Sequence, residues 1–291
     1  MSIAYILITP ARNEEDFIEQ TIQSVVAQSI TPKRWVIVND GSTDHTGDII
    51  TSYADQYDFI LPIHRSGDKD RNFGSKAKAV EFAYQQVSDL DFDYVGNLDA
   101  DITFDPQYYE NILTKMEANP QIGLAGGIRY DRVSDDDFIA VVPSSNSVGG
   151  PIQLFRRECW DQIGGYQVLP YGGIDAVAEI SARMYNWEVR LLPEFHVYHH
   201  RRTGTANRST FNAYYRAGIR DYTIGYHPFF EIFRAMSRIH NRPYILGSAF
   251  MLSGYMYAVL RRLERPVSPE LIRYLQQEQL GRLKKTLTFN H

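Results

Sequence analysis

The feature that most constrains the fold is a rhythm over residues 4–118. Short apolar runs, each ending in a turn or an acidic cluster, alternate with segments whose apolar residues recur at helical spacing. Residues 4–9 form an apolar run stopped by Pro10, which reads as a strand. Ile18, Ile22, Val25 and Val26 then mark one helix face, with Asn13 and Asp16 as its capping and acidic start. Residues 35–38 are a second strand leading into Asn-Asp-Gly-Ser-Thr-Asp, where Ser42 or Thr43 caps a helix carrying Ile49, Ile50 and Tyr53. Residues 59–63 are a third strand and 76–87 a helix with Ala79, Phe82 and Ala83 inward. Residues 94–98 are a fourth strand running into Asp99-Ala100-Asp101, and Pro106 opens a helix through Met116. Such alternation implies right-handed crossovers and a doubly wound, mostly parallel α/β sheet with helices on both faces. Ligands of such sheets lie beyond the carboxyl ends of the strands, so loops 10–14, 39–44 and 99–101 are expected to share one cleft.

After Gly123 the pattern loosens into short strands and loops as far as His200, and from Asn207 onward it is helical. The reading is a domain over 1–205 and a helical extension over 206–291. Charge follows the same division. The whole chain carries −5, which argues against general nucleic-acid binding. Residues 200–291 hold 15 Lys/Arg against 5 Asp/Glu, a net +10, while residues 1–199 hold 15 against 30, a net −15. A basic tail on an acidic body can face phosphates or an anionic membrane surface, or can simply attract the body. The single Cys159 excludes an internal disulfide and a Cys-rich zinc site. The N-terminus has no basic start, full apolar core or small-residue cleavage site, so no signal peptide is read and a cytoplasmic location is expected.

Three loops carry residue types suited to chemistry. Asp99 and Asp101 place two carboxylates one residue apart at a strand end, where they can hold a hard divalent cation and its phosphates. Asp40 can accept from a base imide N–H. Arg12 can meet phosphate or ribose, and Glu14 can accept from a base or hydroxyl. Lys76 and Lys78 stand at a helix start, a position suited to phosphate.

TPARNEEDFIEQTIQSVVAQS, WVIVNDGSTDHT and NLDAD, in this order, resemble the donor half of the glycosyltransferase family 2 proteins. The resemblance spans residues 3–205 and implies a GT-A fold, with Pro10, Arg12, Glu14 and Asp40 lining the nucleoside site and Asp99 and Asp101 as ribose and metal contacts. The segment from Gly149 and Gly150 to Arg156, followed by Ile163-Gly164-Gly165-Tyr166, resembles the family's central sugar-site segment. Family members commonly carry Glu-Asp near YGGIDAVAE and use the aspartate as general base. Here Ile174 replaces the glutamate, which leaves Asp175, with Glu179 as reserve. Asp175 is expected to cap a helix starting at Ala176. The resemblance also implies a metal-completing histidine, for which His199 and His200 both qualify; Arg201 and Arg202, next in the chain, can neutralise a diphosphate.

The implied activity is inverting transfer of a sugar from a UDP, dTDP or GDP donor, with Mg2+ or Mn2+, to a glycan or lipid-linked acceptor. Two readings stand beside it. A non-catalytic relative is motivated by the broken Glu-Asp pair; a sugar nucleotidyltransferase is disfavoured by the glycine-free PARNEE loop. The apolar run 244–260, flanked by arginines, has 17 uncharged residues against the about 20 of a spanning helix. It reads first as a buried helix, then as an in-plane helix giving peripheral contact with the cytoplasmic membrane face.

Overall fold

The computed structural model describes residues 3–66, 74–134, 137–141, 146–201, 210–239 and 244–288. The chain divides into two units: Met1–Arg71, Ser75–Tyr166 and Ile174–Thr203 form one, and Asn72–Gly74, Gln167–Gly173 and Gly204–His291 the other.

The first unit is built from β1 (Tyr5–Ala11), α1 (Ile18–Val26), β2 (Arg34–Asp40), α2 (Thr46–Ala54), β3 (Ile60–Arg65), α3 (Gly74–Gln85), β4 (Tyr94–Leu98), β5 (Ile102–Phe104) and α4 (Tyr108–Ala118). It continues through β6 (Ile122–Arg132), β7 (Phe138–Val141), β8 (Ile152–Arg156), α5 (Arg157–Ile163), α6 (Ile174–Met184) and β9 (Glu188–His199). The sheet runs β3-β2-β1-β4-β8-β6-β9-β5, with β7 added to β6. From β3 to β4 the strands are parallel, as the alternation requires. Beyond β4 the direction varies: β8 is antiparallel to both β4 and β6, β9 is parallel to β6, and β5 is antiparallel to β9.

β1 and β2 are almost continuously apolar because helices cover both their faces. Tyr5, Leu7, Trp35 and Ile37 are wholly buried on one side, against Ile18, Ile22 and Val25 of α1 and Ile112, Leu113 and Met116 of α4.

Three expected boundaries change. β1 continues through Pro10 and Ala11, which pair with Val38 and Asn39. Proline is tolerated because pairing of β1 to β4 ends at Ile8 with Asn97, so no donor is needed on that side. Asn13 caps no helix: α1 starts after Phe17 without a side-chain cap, and Asn13 sits at φ 56°. Nor do Ser42 and Thr43 cap α2, which begins at Thr46; both instead hold the preceding loop.

The second unit contains α7 (Thr210–Ile224), α8 (Pro228–Ser237), α9 (Ile245–Leu260) and α10 (Pro269–Thr288). Its buried Asp221 is held by Arg220 and Arg234. α9 departs from the expected buried helix, since it buries Gly247, Ser248, Met251, Gly254, Tyr255 and Ala258 and exposes most of its large side chains. Among the described residues no helix is long and apolar enough to cross a membrane.

Candidate active site

The loops after β1 and β2 are sewn together by their own polar side chains. Asn13 donates its backbone N–H to Ser42 Oγ (3.0 Å), while Asn13 Oδ1 accepts from the Thr43 N–H (2.9 Å). Glu14 N–H donates to Thr46 Oγ1 at 2.8 Å, and Glu15 accepts from the His45 N–H at 2.9 Å. The left-handed backbone at Asn13 is what turns its side chain toward the second loop. Asp40, at the end of β2, is 8% exposed. Its Oδ1 finds no hydrogen-bond donor among the described residues, and Arg65 Nη1 lies 3.9 Å away. A buried carboxylate oxygen without a donor is costly, and a ligand N–H would satisfy it.

Asp101, just past β4, is the centre of a second polar group. Its Oδ2 lies 3.3 Å from His199 Nε2 and 3.1 Å from Arg201 Nε. His199 Nδ1 lies 3.0 Å from Asp131 on β6, and Asp131 is paired with Arg129 at 2.6 Å. Arg201 also grips Glu14, so the loop after β1 is joined to the strand end at Asp101. Burial alone would raise the Asp101 carboxyl, but bonds from His199 and Arg201 prevail and hold it below its ordinary value. Burial would likewise lower His199, yet Asp101 and Asp131 outweigh it and raise its pKa. Glu14 moves the other way: burial pushes it up to about 7 although Arg201 opposes this.

Asp99 pairs with Lys76 of α3, and its backbone N–H donates to the Pro151 carbonyl at 2.9 Å. Asn97 Nδ2 donates to the Gly150 carbonyl at 2.8 Å. These bonds fix the 149–151 turn beside the end of β4. A cavity of about 150 Å³ opens there, lined by Gly127, Arg129, Ser147, Gly150, Asp175 and Glu179 among others. Gly150 is required by a close approach: a Cβ at this position would stand 2.7 Å from Asp175 Oδ2. α6 starts at Ile174, directly after Gly172 and Gly173, both at φ 90°, so Asp175 lies in its first turn instead of capping it. The Asp175 carboxylate borders the cavity.

Glu179, one turn further along α6, is 6% exposed and is no surface partner of Arg183. Its Oε1 accepts from the Val148 N–H (2.7 Å), Ser147 Oγ (3.2 Å) and Gln153 Nε2 (3.4 Å). It therefore anchors the cavity wall. Burial pushes its pKa up from 4.5 to about 7, against the Val148 bond, which lowers it. Folded Glu179 thus keeps a proton that the unfolded chain has released. Its contribution to stability is greatest below pH 4.5 and falls by about 3 kcal/mol as pH rises to about 7. Chemical denaturation across pH 4 to 8, a span of about four units, should show Glu179→Gln with a shallower decline than wild type. Glu14 and Glu231, shifted in the same direction, add to that slope.

Of the residues expected from sequence, Glu14, Asp101 and His199 come together around Arg201, and Asp175, Glu179 and Gly150 meet at the cavity. Lys76 reaches Asp99, whereas Lys78 is exposed, because residues two apart on a helix point to different sides. Arg12 and Pro10 are half-buried at the end of β1. His200 turns away from the Asp101 carboxylate: Nε2 lies 2.7 Å from Thr103 Oγ1, and its ring meets Phe138 edge-on. Arg202 lies outside the described residues. Asp131 and Arg129 were not foreseen. Their spacing along β6 puts both on one face, but nothing in the local sequence names their partner.

Among the described residues no three His, Cys, Asp or Glu side chains form a ready-made cation site. Asp101 and His199 are nonetheless a compatible pair. Hard cations at diphosphates are commonly held by one or two protein groups, with phosphate oxygens and water completing the shell. Asp101 and Asp131 favour a proton on His199, and a cation bound there would compete with it.

The family model for glycosyl transferase family 2 matches residues 6–162, more than half of the chain. The chain belongs to glycosyltransferase family 2. Its relatives include the poly-beta-1,6-N-acetyl-D-glucosamine synthase of Staphylococcus aureus (strain MSSA476), 34% identical over 197 residues that cover 62% of this chain and 44% of the relative. The synthase of the same name from Staphylococcus epidermidis (strain RP62A) is 24% identical over 204 residues, covering 62% and 46%. The chain thus spans less than half the length of these curated relatives. Among solved structures, a mannosyltransferase from Pyrobaculum calidifontis in complex with GDP-Man and Mn2+ superposes with a TM-score of 0.58 at 14% identity, covering 99% of this chain and 88% of the other. Staphylococcus aureus TarS 1–349 in complex with UDP-GlcNAc gives 0.57 at 15% identity, covering 94% and 78%. These similarities show that this family 2 member has the GT-A fold.

Proposed function

We propose that this chain is an inverting glycosyltransferase that moves a sugar from a nucleoside diphosphate donor, with Mg2+ or Mn2+, onto a glycan or lipid-linked acceptor. The observation that carries the reading is a continuous polar chain from Glu14 through Arg201, Asp101, His199 and Asp131 to Arg129, which borders the cavity holding Asp175. In this reading that polar chain links the donor side of the site to the carboxylate that takes the acceptor proton.

In this reading Asp40 accepts the imide N–H of the donor base, while Pro10, Arg12 and Glu14 line the nucleoside. Asp99 meets the ribose, with Lys76 beside it. Arg201 and Arg202 supply positive charge to the diphosphate, whereas Lys78, on another side of α3, takes no part. Asp101 and His199 would hold the cation, which when bound neutralises the diphosphate as it leaves. Gly150 lets the sugar approach the backbone. Asp175 removes the proton of the acceptor hydroxyl as its oxygen attacks C1 of the sugar. The new C1–O bond forms on the face opposite the breaking C1–O bond to the diphosphate, so configuration inverts and the proton stays on Asp175. The net charge of +10 after residue 199 draws the enzyme to an anionic membrane surface near such an acceptor.

Because the named relatives are N-acetylglucosamine polymer synthases and one TarS structure holds UDP-GlcNAc, UDP-N-acetylglucosamine is the first donor to assay, followed by GDP-mannose. The test is release of the nucleoside diphosphate by the full chain with Mn2+ and candidate saccharide acceptors. Acceptor-dependent release with one donor is expected; pyrophosphate release from a nucleoside triphosphate and a sugar phosphate would contradict it.

Asp40→Ala should raise KM for the donor by about 10- to 100-fold with little change in kcat, because a hydrogen bond to a charged group contributes about 1.5–3 kcal/mol. Steady-state kinetics at varied donor concentration check this split.

A further inference from the structure

α8 and α9 of the second unit reverse the usual division between core and surface. On α8, Phe229 (69% exposed), Ile232, Phe233 and Met236 (62%) recur at helical spacing along the outer side. The charged residues of the same helix turn inward: Glu231 is 1% exposed, and Arg234 reaches the buried Asp221. α9 packs a small-residue side on α7. A Cβ on Gly254 would stand 1.9 Å from the Tyr215 carbonyl oxygen, and one on Gly218 1.9 Å from that of Met251. Met251 and Tyr255 pack with that side, but most bulky residues of α9 face outward, with Ile245 69% and Leu260 76% exposed. Helices that bury small residues and expose large apolar ones are suited to lipid, where close backbone approach drives packing and apolar side chains face acyl chains. In water, so large an exposed apolar face signals a missing partner.

Charge identifies that partner. Residues 232–263 contain five arginines and no aspartate or glutamate. Arg238 follows α8, and Arg261 and Arg262 follow α9; all three are exposed. A second copy docking through the same face would set these three arginines against their equivalents, with Glu264 the one exposed acid close to them in sequence. An anionic lipid surface offers phosphates to the arginines and acyl chains to the apolar residues. α9 has 16 residues, about 24 Å at 1.5 Å each, short of the about 30 Å hydrocarbon core.

We propose that α8 and α9 lie in the plane of an anionic bilayer surface, with the Phe229–Met236 stripe and the outer side of α9 inserted among the acyl chains and Arg238, Arg261 and Arg262 at the phosphates. This rests on the electrostatic reading of the basic tail and adds apolar insertion to it.

The test is co-flotation of the full chain with phosphatidylcholine vesicles, with or without phosphatidylglycerol, at low salt and near 1 M salt, where the Debye length is about 3 Å. Wild type should float with phosphatidylglycerol vesicles at low salt and retain part of that binding at high salt. The triple variant Phe229→Ser, Met236→Ser, Leu260→Ser should lose at least about tenfold in partition coefficient, since about 1.4 kcal/mol of lost apolar burial is tenfold. Its circular dichroism and its donor hydrolysis without lipid should be unchanged, which separates this proposal from the assignment of glycosyl transfer. Binding by the variant equal to wild type would overturn insertion and leave electrostatic attraction alone. No flotation of wild type at low salt would overturn both. A concentration-dependent dimer in sedimentation velocity, abolished by the same substitutions, would assign the face to a second copy and overturn the lipid proposal.

Discussion

Replacing Asp101 with asparagine should lower kcat for glycosyl transfer by about 10³-fold, roughly 4 kcal/mol of transition-state stabilisation. The substitution keeps the shape of the side chain and removes the charge on which His199 and Arg201 converge. Asp101 is 7% exposed, so its charge acts in a place where water screens it poorly. The loss should appear as a flat response of turnover to Mn2+ concentration. His199 should also titrate lower in the variant, because one of the two carboxylates that raise its pKa has gone. The imidazole proton resonances followed against pH would record that change. Turnover within tenfold of wild type would mean that the charge on Asp101 is not part of the chemistry.

Asp175→Asn should lower kcat by 10²- to 10⁴-fold, the usual range for losing a general base, while KM for the donor stays within about threefold. The reason lies in the difference between the two carboxylates of α6. Glu179 is buried and already committed to Val148, Ser147 and Gln153. Asp175 is half-buried beside Gly150 on the rim of the cavity, where an acceptor hydroxyl can reach it. Glu179→Gln should therefore act mainly through stability and its pH dependence. Steady-state kinetics of both variants separate the roles: a larger fall in kcat for Glu179→Gln than for Asp175→Asn would reverse the assignment.

The parallel half of the sheet could be read from sequence because each of its strands is a nearly unbroken apolar run ending in turn chemistry. Trp35 to Val38 before Asn39-Asp40-Gly41 is an example. Order beyond β4 could not be read in the same way. β6, β8 and β9 pair across long separations, and β9 enters beside β6 with two register shifts that no local pattern announces. The site divides similarly. Asp40, Asp99 and Asp101 stand out because they follow apolar strands directly. Asp131 does not, since its meaning comes from His199, 68 residues later in the chain. Arg201 reaches Glu14 across 187 residues, which spacing cannot foretell. Asn13 misled for another reason. A polar residue ahead of an amphipathic run looks like a cap, but at φ 56° its amide instead ties one loop to the next. The outward apolar side of α9 was hidden as well, because a helix that is apolar all round has no marked face in sequence.

The most direct measurement is isothermal titration of the full chain with UDP, GDP and dTDP and their sugar derivatives, in Mn2+ and again in EDTA, for wild type and Asp101→Asn. The account predicts that one base series binds wild type with Mn2+, at least about tenfold more weakly in EDTA (about 1.4 kcal/mol), and that Asp101→Asn loses this difference. Failure of every series to bind, or equal affinity in Mn2+ and EDTA with wild type, would contradict it.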